Sequence, residues 1–320
     1  MRYLITGGSG FIGSHLCERL LEDGHKVLVL DNLSTGRYEN IGHLEGREGF
    51  ELRVASVTDA AVVEGCVTEC QAVFHLASAV GVRLVVDEPV RTIETIVNGT
   101  DNVLRSCARY RRPVLLTSTS EVYGKSEKIP FAEGDDCVMG PTTTRRWAYA
   151  CAKALDEFLA LAHWYQTKLP VVVVRLFNTV GPRQTGQYGM VIPRLVSQGL
   201  AGEALTVYGD GKQTRCFAHV VDVVGALVKL IGKPEAAGQV FNIGNDEEIS
   251  ILALAERIKK LTGSRSEIRM IPYSEAYTVG FEDMVRRVPD LSKIHRLIGY
   301  KPTRDLDRIL GDILEEQRGG

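Results

Sequence analysis

The chain has 320 residues, of which 44% are hydrophobic, and 38 basic against 40 acidic residues give a formal charge of −2. This length supports a large α/β core, and the balanced charge excludes the basic excess typical of nucleic-acid-binding proteins. Seven scattered cysteines lack the further Cys/His ligands of a zinc site, so we expect free thiols and no metal. Without a leader peptide or an apolar run of about 20 residues, we expect a cytoplasmic protein with no membrane or nucleic-acid partner.

The first half of the chain alternates short apolar segments with longer segments of helical periodicity. The apolar segments predict strands at residues 3–6, 27–30, 50–54, 72–76, 114–117 and 171–176. Helical spacing of apolar residues predicts helices at 12–21, 90–110 and 149–166. Four consecutive valines, 171–174, fit a strand that is covered on both faces. The alternation therefore predicts an α/β fold with a Rossmann-type, doubly wound parallel sheet.

The composition of the sequence changes after about residue 180, where residues 181–189 are rich in Gly, Pro and Gln. We expect a main domain over residues 1–180 and a smaller C-terminal lobe over residues 181–320. Segments near 217–245 are expected to return to the main domain.

A glycine-rich turn lies between the first predicted strand and the first predicted helix, with the sequence Thr6-Gly-Gly-Ser-Gly-Phe-Ile-Gly13. Glycines here allow a tight turn and close approach of the backbone to a pyrophosphate, which the helix N-terminus then attracts. Asp31 ends the second strand, where a carboxylate binds the adenosine ribose hydroxyls and repels a 2′-phosphate. The first domain is therefore predicted to bind NAD.

Tyr149 and Lys153 are four residues apart at the start of a predicted helix, so both side chains can reach one bound cofactor. A neighbouring ammonium and an oxidised nicotinamide would lower the pKa of the phenol and make it a general base near neutral pH. A second Tyr-x-x-x-Lys match, Tyr208 to Lys212, contains two glycines and reads as a turn.

A third element, Thr117-Ser-Thr-Ser-Glu-Val-Tyr-Gly124, follows a predicted buried strand at the sheet edge where α/β proteins bind ligands. Its hydroxyls can orient a substrate and share its proton with Tyr149. The predicted catalytic residues are Tyr149, Lys153, Thr119, Ser120 and Glu121.

Taken together, these motifs resemble the extended short-chain dehydrogenase/reductase superfamily, in its nucleotide-sugar epimerase, dehydratase and decarboxylase branch. The resemblance spans essentially the whole chain. Further matching segments are His75-Leu-Ala77, Asn98-Gly-Thr100, Arg175-Leu-Phe-Asn178, Gly181-Pro-Arg183, Arg215-Cys-Phe217, and Arg287 with Asp290.

The resemblance implies a UDP-sugar substrate, bound mainly by the C-terminal lobe, and assigns site residues. Asn178, Arg215 and Arg287 would hold the nucleotide diphosphate, Lys153 would bind the nicotinamide ribose, and Thr119 would partner Tyr149. Ser56 replaces the acid that often contacts the adenine. The predicted cofactor-binding residues are Gly7, Gly10, Phe11, Ile12, Gly13, Asp31, Asn32, Ser56, Val57, Leu76, Ala77, Tyr149 and Lys153. The predicted substrate-binding residues are Arg83, Thr119, Ser120, Asn178, Arg194, Arg215 and Arg287.

Within this branch, the 4-keto sugar formed by oxidation at C4 has several fates. Ser120-Glu121 lacks the aspartate of 4,6-dehydratases. The segments 118–124 and Arg146-Trp-Ala-Tyr149 resemble UDP-glucuronate decarboxylases, which points to a uronate whose carboxylate Arg83 or Arg194 could pair. The loop Ala79-Val-Gly-Val-Arg83 is more similar to 4-epimerases.

Our leading expectation is therefore a UDP-sugar 4-epimerase that interconverts UDP-glucuronate and UDP-galacturonate. The alternatives are a UDP-glucuronate decarboxylase that forms UDP-xylose, a UDP-glucose 4-epimerase, and a non-catalytic NAD-binding module, which the retained Tyr149 and Lys153 disfavour. The resemblance also implies a homodimer through the helices before Tyr110 and after Tyr149.

Overall fold

A parallel seven-stranded sheet forms the centre of the molecule in a computed structural model that describes residues 1–78, 88–186, 190–276, 284 and 286–319. Its strands are β1 (Arg2–Thr6), β2 (Lys26–Asp31), β3 (Phe50–Val54), β4 (Ala72–His75), β5 (Val114–Thr119), β6 (Val171–Leu176) and β11 (Gln239–Ile243). The spatial order is β11-β6-β5-β4-β1-β2-β3, and every neighbouring pair is parallel. Strands β2 and β3 are added on one side of β1, whereas β4, β5 and β6 are added on its other side, so the strand order switches direction between β1 and β4. In open α/β sheets this switch point is where ligands bind, beyond the carboxyl ends of the strands. The expected α/β Rossmann-type sheet is thus confirmed.

The helices of the described residues cover both faces of this sheet and build part of the C-terminal half. In chain order they are α1 (Phe11–Glu22), α2 (Ala60–Thr68), α3 (Pro89–Tyr110), α4 (Trp147–Thr167), α5 (Val191–Ala201), α6 (Val220–Ile231), α7 (Ile251–Thr262), α8 (Tyr273–Ala276), α9 (Ser292–Ile298) and α10 (Leu306–Gly319). One apolar cluster joins α1 and α6 to the first face, and another joins α2, α3 and α4 to the second. The central strands β1, β2, β4, β5 and β6 are mostly apolar because helices bury both of their faces, whereas the edge strand β3, Phe50–Val54, is only partly buried.

Short strands and helices after residue 178 build the remainder of the molecule. The strands are β7 (Thr179–Val180), β8 (Leu205–Tyr208), β9 (Thr214–Cys216), β10 (Ala218–His219), β12 (Glu248–Ser250) and β13 (Ile268–Ile271). They form three two-stranded sheets, β10–β7, β12–β9 and β13–β8. A separate apolar cluster packs α5, α7 and α10 together. The division into lobes at residue 180 stays a prediction, while β11 returns from this half to pair with β6 in the main sheet.

The described residues were expected to contain neither a membrane-spanning helix nor a metal site. None of the helices in the described ranges is both long and apolar enough to cross a membrane. Over the same ranges, no group of three or more His, Cys, Asp or Glu side chains is arranged to hold a metal ion.

Candidate active site

The glycine-rich turn after β1 brings the backbone very close to its neighbours. Gly7 has a φ of +74°, and a Cβ there would lie 2.8 Å from the Ala77 nitrogen. A Cβ at Gly13 would lie 2.2 Å from the Gly7 oxygen, so a side chain cannot be accommodated at either position. Helix α1 begins directly after the turn, with the Ser14 amide bonded to the Gly10 carbonyl. The free N–H groups at this helix start face a cavity suited to a phosphate.

Asp31, at the carboxyl end of β2, fixes the other side of the turn. Its Oδ2 accepts a hydrogen bond from the Ser9 amide at 2.9 Å, and its Oδ1 accepts one from the Leu33 amide at 2.9 Å. Burial raises the pKa of this carboxyl, and the hydrogen bonds from the two backbone amides oppose that shift. Asp31 lines the cavity at the place where this fold positions the carboxylate that binds the ribose of a dinucleotide.

The carboxyl end of β5 carries the hydroxyl-rich segment. Strand β5 runs on to Thr119, and a 3₁₀ turn, Ser120–Tyr123, follows at once. The Thr119 hydroxyl accepts a hydrogen bond from the Glu121 amide at 3.3 Å and so closes this turn. Tyr149, in the first turn of α4, lies in the same cavity as Thr119 and Ser120.

The electrostatics at Tyr149 differ from our expectation. Burial raises the pKa of the phenol, the negative charge of Glu121 raises it further, and the hydroxyls of Thr119 and Ser78 oppose the shift. The Lys153 ammonium, which we expected to lower this pKa, pairs with Asp156, with Nζ 3.0 Å from Oδ2, in a site where both residues are almost fully buried. The Asp156 charge offsets that of Lys153 and itself raises the pKa of the phenol.

Glu121 joins two arginines from distant parts of the chain. Its Oε2 accepts a hydrogen bond from Arg146 Nη1 at 2.6 Å, and its Oε1 accepts one from Arg287 Nη1 at 3.2 Å. The two guanidinium groups overcome the effect of burial and lower the pKa of the Glu121 carboxyl to about 2. Glu121 is therefore ionised near neutral pH, and it fixes two cations at the wall of the cavity.

The cavity lining also includes Asn178 and Arg215, which we predicted to bind the nucleotide diphosphate together with Arg287, and Arg194, which we predicted as a partner of the sugar carboxylate. Asn178 Nδ2 donates to the Cys216 carbonyl at 2.9 Å, and Arg215 Nη1 donates to the Thr214 carbonyl at 2.6 Å. Arg194, in α5, donates to the Thr206 carbonyl at 2.6 Å, and its guanidinium lies 4.1 Å from the centre of the Tyr208 ring.

One continuous cavity of about 500 Å³ gathers most of the predicted residues. The predicted residues that line it are Gly7, Gly10, Phe11, Ile12, Gly13, Asp31, Asn32, Val57, Leu76, Ala77, Thr119, Ser120, Glu121, Tyr149, Lys153, Asn178, Arg194, Arg215 and Arg287. Ser56 is not among the lining residues, and its hydroxyl bonds to Thr58 instead. Arg83 falls outside the described residues, as does the loop 79–83 on which we based the preference for an epimerase.

Sequence reasoning missed several side chains in or behind this cavity. Arg146 belongs to a segment whose likeness to decarboxylases we noted, but we gave it no role. Asp156 and Arg37 carried no recognisable pattern. Arg37 lines the cavity near Asp31, while Asp156 is completely buried behind it.

The residues present fit NAD. The turn at Gly7 and Gly13 leaves room where a side chain would otherwise stand, and Asp31 presents a carboxylate at the ribose position. Tyr149 and Lys153 lie at the end of the same cavity where a nicotinamide would meet a substrate.

Comparison with known proteins agrees with this geometry. The sequence model of the NAD dependent epimerase/dehydratase family matches residues 3–244. The chain is 40% identical over 315 residues to a UDP-N-acetyl-alpha-D-glucosaminuronate decarboxylase of Bacillus cytotoxicus, covering 98% of this chain and 97% of that one. It is 39% identical over 317 residues to a UDP-glucuronic acid decarboxylase of Danio rerio, covering 98% of this chain and 72% of that one.

Two solved structures with a similar fold are named as UDP-sugar 4-epimerases. A UDP-glucuronic acid 4-epimerase from Bacillus cereus, in complex with UDP-glucuronic acid and NAD, has a TM-score of 0.89 at 26% identity, and the match covers 100% of this chain and 99% of that one. A UDP-glucose 4-epimerase from Thermotoga maritima, with UDP-glucose, has a TM-score of 0.89 at 28% identity with the same coverage. From the match over residues 3–244 and the glycine turn, acidic residue and Tyr-Lys pair around one cavity, we conclude that the chain is an enzyme of the NAD dependent epimerase/dehydratase family, with NAD as its cofactor.

Proposed function

We propose that this enzyme decarboxylates a UDP-linked uronate, such as UDP-glucuronate or its N-acetylated 2-amino counterpart. The observation that carries the proposal is the near-complete alignment, at 39–40% identity, with relatives named uronate decarboxylases. The structures named epimerases are less similar in sequence, at 26–28% identity. We therefore place decarboxylation above the 4-epimerisation that the loop 79–83 led us to expect.

Oxidation at C4 of the sugar would be the first step. NAD, when bound, supplies the oxidant for this carbon. Tyr149 would take the proton of the C4 hydroxyl, with Thr119 as its hydrogen-bonding partner. The positive charges that favour the phenolate are the Lys153 ammonium and the oxidised nicotinamide.

The C4 ketone makes the sugar a β-keto acid, because C6 is attached to C5, next to the ketone. The C5–C6 bond can then break with loss of CO₂, and its electron pair passes to the C4 oxygen as an enolate. Tyr149, by now protonated, can donate a hydrogen bond to that oxygen and stabilise the developing charge. A proton taken up at C5 gives the 4-keto pentose. Return of the hydride from the reduced cofactor to C4, with Tyr149 donating its proton to the C4 oxygen, would then complete the UDP-pentose and restore NAD.

Arg146 and Arg287 would provide positive charge at this end of the cavity. Both are held by Glu121, whose carboxylate stays ionised over the working pH range because its pKa is about 2. Bidentate guanidinium groups suit phosphate and carboxylate ligands. We therefore assign Glu121 to positioning these arginines.

Carbon-13 NMR with substrates labelled at C6 tests the proposal. The purified protein is incubated with NAD and, separately, with UDP-glucuronate and UDP-N-acetylglucosaminuronate. We expect the label to appear as CO₂ and bicarbonate and to disappear from the sugar. A labelled carboxylate that stays on a sugar of inverted C4 configuration would establish the 4-epimerase instead.

We also propose that the protein forms a homodimer through α3 and α4. These helices pack against each other, yet their outer faces expose large apolar side chains, among them Phe158 at 72% and Val90 at 67%. Leu155 and Tyr165 extend the apolar surface along α4. The same apolar side chains of a second copy of this helix pair would bury the surface in a symmetric contact.

A further inference from the structure

Lys153 does not stand alone at the wall of the cavity. Its ammonium lies 3.0 Å from Asp156 Oδ2, and Thr100 Oγ1 donates to the same oxygen at 2.8 Å. Asp156 is 0% exposed, and its Oδ1 has no hydrogen-bond partner in the described part of the chain. A buried carboxylate is costly unless a cation compensates it, and here the cation is a predicted catalytic residue.

A one-directional chain of hydrogen bonds leads to this carboxylate. The Ala77 amide donates to Thr6 Oγ1 at 3.2 Å, and Thr6 Oγ1 lies 2.7 Å from His75 Nδ1. His75 Nε2 lies 3.1 Å from Thr100 Oγ1, whose single proton goes to Asp156. His75 therefore donates from Nε2, and a neutral ring then accepts a hydrogen bond at Nδ1 from the Thr6 hydroxyl.

This chain of hydrogen bonds holds groups in place and does not conduct protons. Its far end is the amide of Ala77, whose N–H proton is too weakly acidic to be transferred to a substrate. Burial followed by the Lys153 charge lowers the pKa of His75 to about 3, in agreement with a neutral ring. Strand β1, strand β4 and helix α3 thus jointly fix one oxygen of Asp156.

Among the described residues, the charged groups with the largest effects on Asp156 are two. On its own helix they are Lys153 and Glu157, and Glu157 is itself paired with Arg175 of β6 at 2.7 Å. Strand β4 contributes only neutral His75, and α3 contributes only the hydroxyl of Thr100. Burial raises the pKa of Asp156, and Lys153 and Thr100 oppose that shift.

We propose that Asp156 is a positioning residue for the reaction, whose carboxylate fixes the Lys153 ammonium and offsets its charge at the Tyr149 phenol. The charge of Asp156 acts on Tyr149 in the same direction as that of Glu121, since both raise the pKa of the phenol. The phenol therefore stays protonated in the free enzyme and becomes a base only when a bound nicotinamide adds positive charge. This inference rests on the proposed role of Tyr149 as the base.

The test is the ionisation of Tyr149 in the NAD complex, measured without sugar. Ultraviolet difference absorbance of tyrosinate is recorded during a pH titration of the wild-type protein against Tyr149→Phe. The same difference is recorded for Asp156→Asn against the double variant Asp156→Asn/Tyr149→Phe. Gln166→Ala, an exposed change near the end of the same helix, is the matched control. The affinity for NAD and the thermal midpoint are measured in parallel.

We expect Asp156→Asn to shift the Tyr149 titration downward by about half a pH unit or more, because it removes a negative charge and frees the Lys153 charge. We also expect weaker NAD binding, because the ammonium is no longer held. A titration that is unchanged or moves upward in a folded variant would overturn the proposal, since a purely structural role predicts no downward shift.

If Asp156→Asn does not fold, Asp156→Ala serves in its place, because alanine removes the carboxylate and favours the helix. The same downward shift is expected from it. No sugar is present in this titration, so its outcome is independent of whether the enzyme decarboxylates or epimerises its substrate. A failed decarboxylation assay would leave the result on Asp156 intact.

Discussion

Tyr149 lies among fixed charges that, without the cofactor, favour its protonated form. Glu121 and Asp156 both raise the pKa of the phenol, and Lys153 is neutralised locally by Asp156. The Tyr149-to-Lys153 spacing predicted the two residues as neighbours in one site, but it could not reveal the two acids. We therefore propose that Tyr149 becomes basic only in the complex with NAD.

Tyr149→Phe removes only the hydroxyl. We expect turnover of the UDP-uronate to fall by about 10²–10⁴-fold, because the C4 hydroxyl loses its base. The affinity for NAD should change little, because the glycine turn and Asp31 are untouched. Turnover is measured by NMR and NAD binding by calorimetry. Near-normal turnover in this variant would contradict the assignment of the base.

Glu121→Gln leaves two buried guanidinium groups without their shared carboxylate. We expect the free energy of unfolding to fall by about 3 kcal/mol, as measured by denaturant titration, because two buried guanidinium groups each lose a hydrogen-bonded anionic partner. Glu127→Gln changes an exposed carboxylate in the same part of the chain and should be nearly neutral. Equal stabilities of the two variants would show that the arginines are solvated without Glu121.

The helix pair α3–α4 has two faces, to which we assign different roles. The inner face of α4 packs on the sheet, and its first two turns carry Tyr149 and Lys153 into the cavity. The outer face exposes Leu155, Phe158 and Tyr165. A single helix thus connects the proposed dimer surface to the chemistry.

Phe158→Glu places a charge in the middle of that outer face. We expect the protein to become a monomer at micromolar concentration, as measured by light scattering after size exclusion, because burying an unpaired carboxylate opposes association. Leu261→Glu, an exposed leucine on α7, is the matched control and should keep the dimer. Dissociation by both variants, or by neither, would count against this interface.

Local sequence signals predicted some elements and not others. The glycine turn and Asp31 were predictable because backbone geometry at a strand–turn–helix junction demands these residue types. The end of β5 was placed two residues short, because Ser118 and Thr119 look like loop residues although they pair with β6. The segment from 217 to 231 contains a helix only from Val220, where the His219 side chain caps it.

The charged clusters could not be predicted from sequence. Glu121 meets Arg146, 25 residues away, and Arg287, 166 residues away. Asp156 lies three residues after Lys153 on α4, a spacing that is common on solvated helix faces. Its burial follows from the packing of α3 on α4, which no local periodicity encodes.

For the whole molecule, buried neutral histidines link stability to pH. Burial lowers the pKa of His75 from 6.5 to about 3 and that of His219 from 6.5 to about 4. Between these values and 6.5, the unfolded chain binds protons that the folded chain does not. Stability therefore rises with pH in this window and is lost as the pH falls below about 6.5.

We expect the free energy of unfolding to fall by up to about 1.4 kcal/mol per pH unit for each of these histidines as the pH falls from about 6 to about 5. Denaturant titration at a series of pH values measures this slope. His219→Asn keeps an acceptor for the Val221 amide, which His219 caps, but removes one titrating group. The slope should decrease in this variant, and an unchanged slope would contradict the prediction.

The two hydrogen bonds that Asp31 accepts have a consequence for protein engineering. A change of cofactor preference from NAD to NADP usually begins by removing the acidic residue at the end of β2, to admit a 2′-phosphate. Here each oxygen of that residue also holds one loop, through the Ser9 amide and the Leu33 amide. Selectivity and loop conformation thus depend on one side chain, and a redesign must supply new acceptors for both amides along with a cation for the added phosphate.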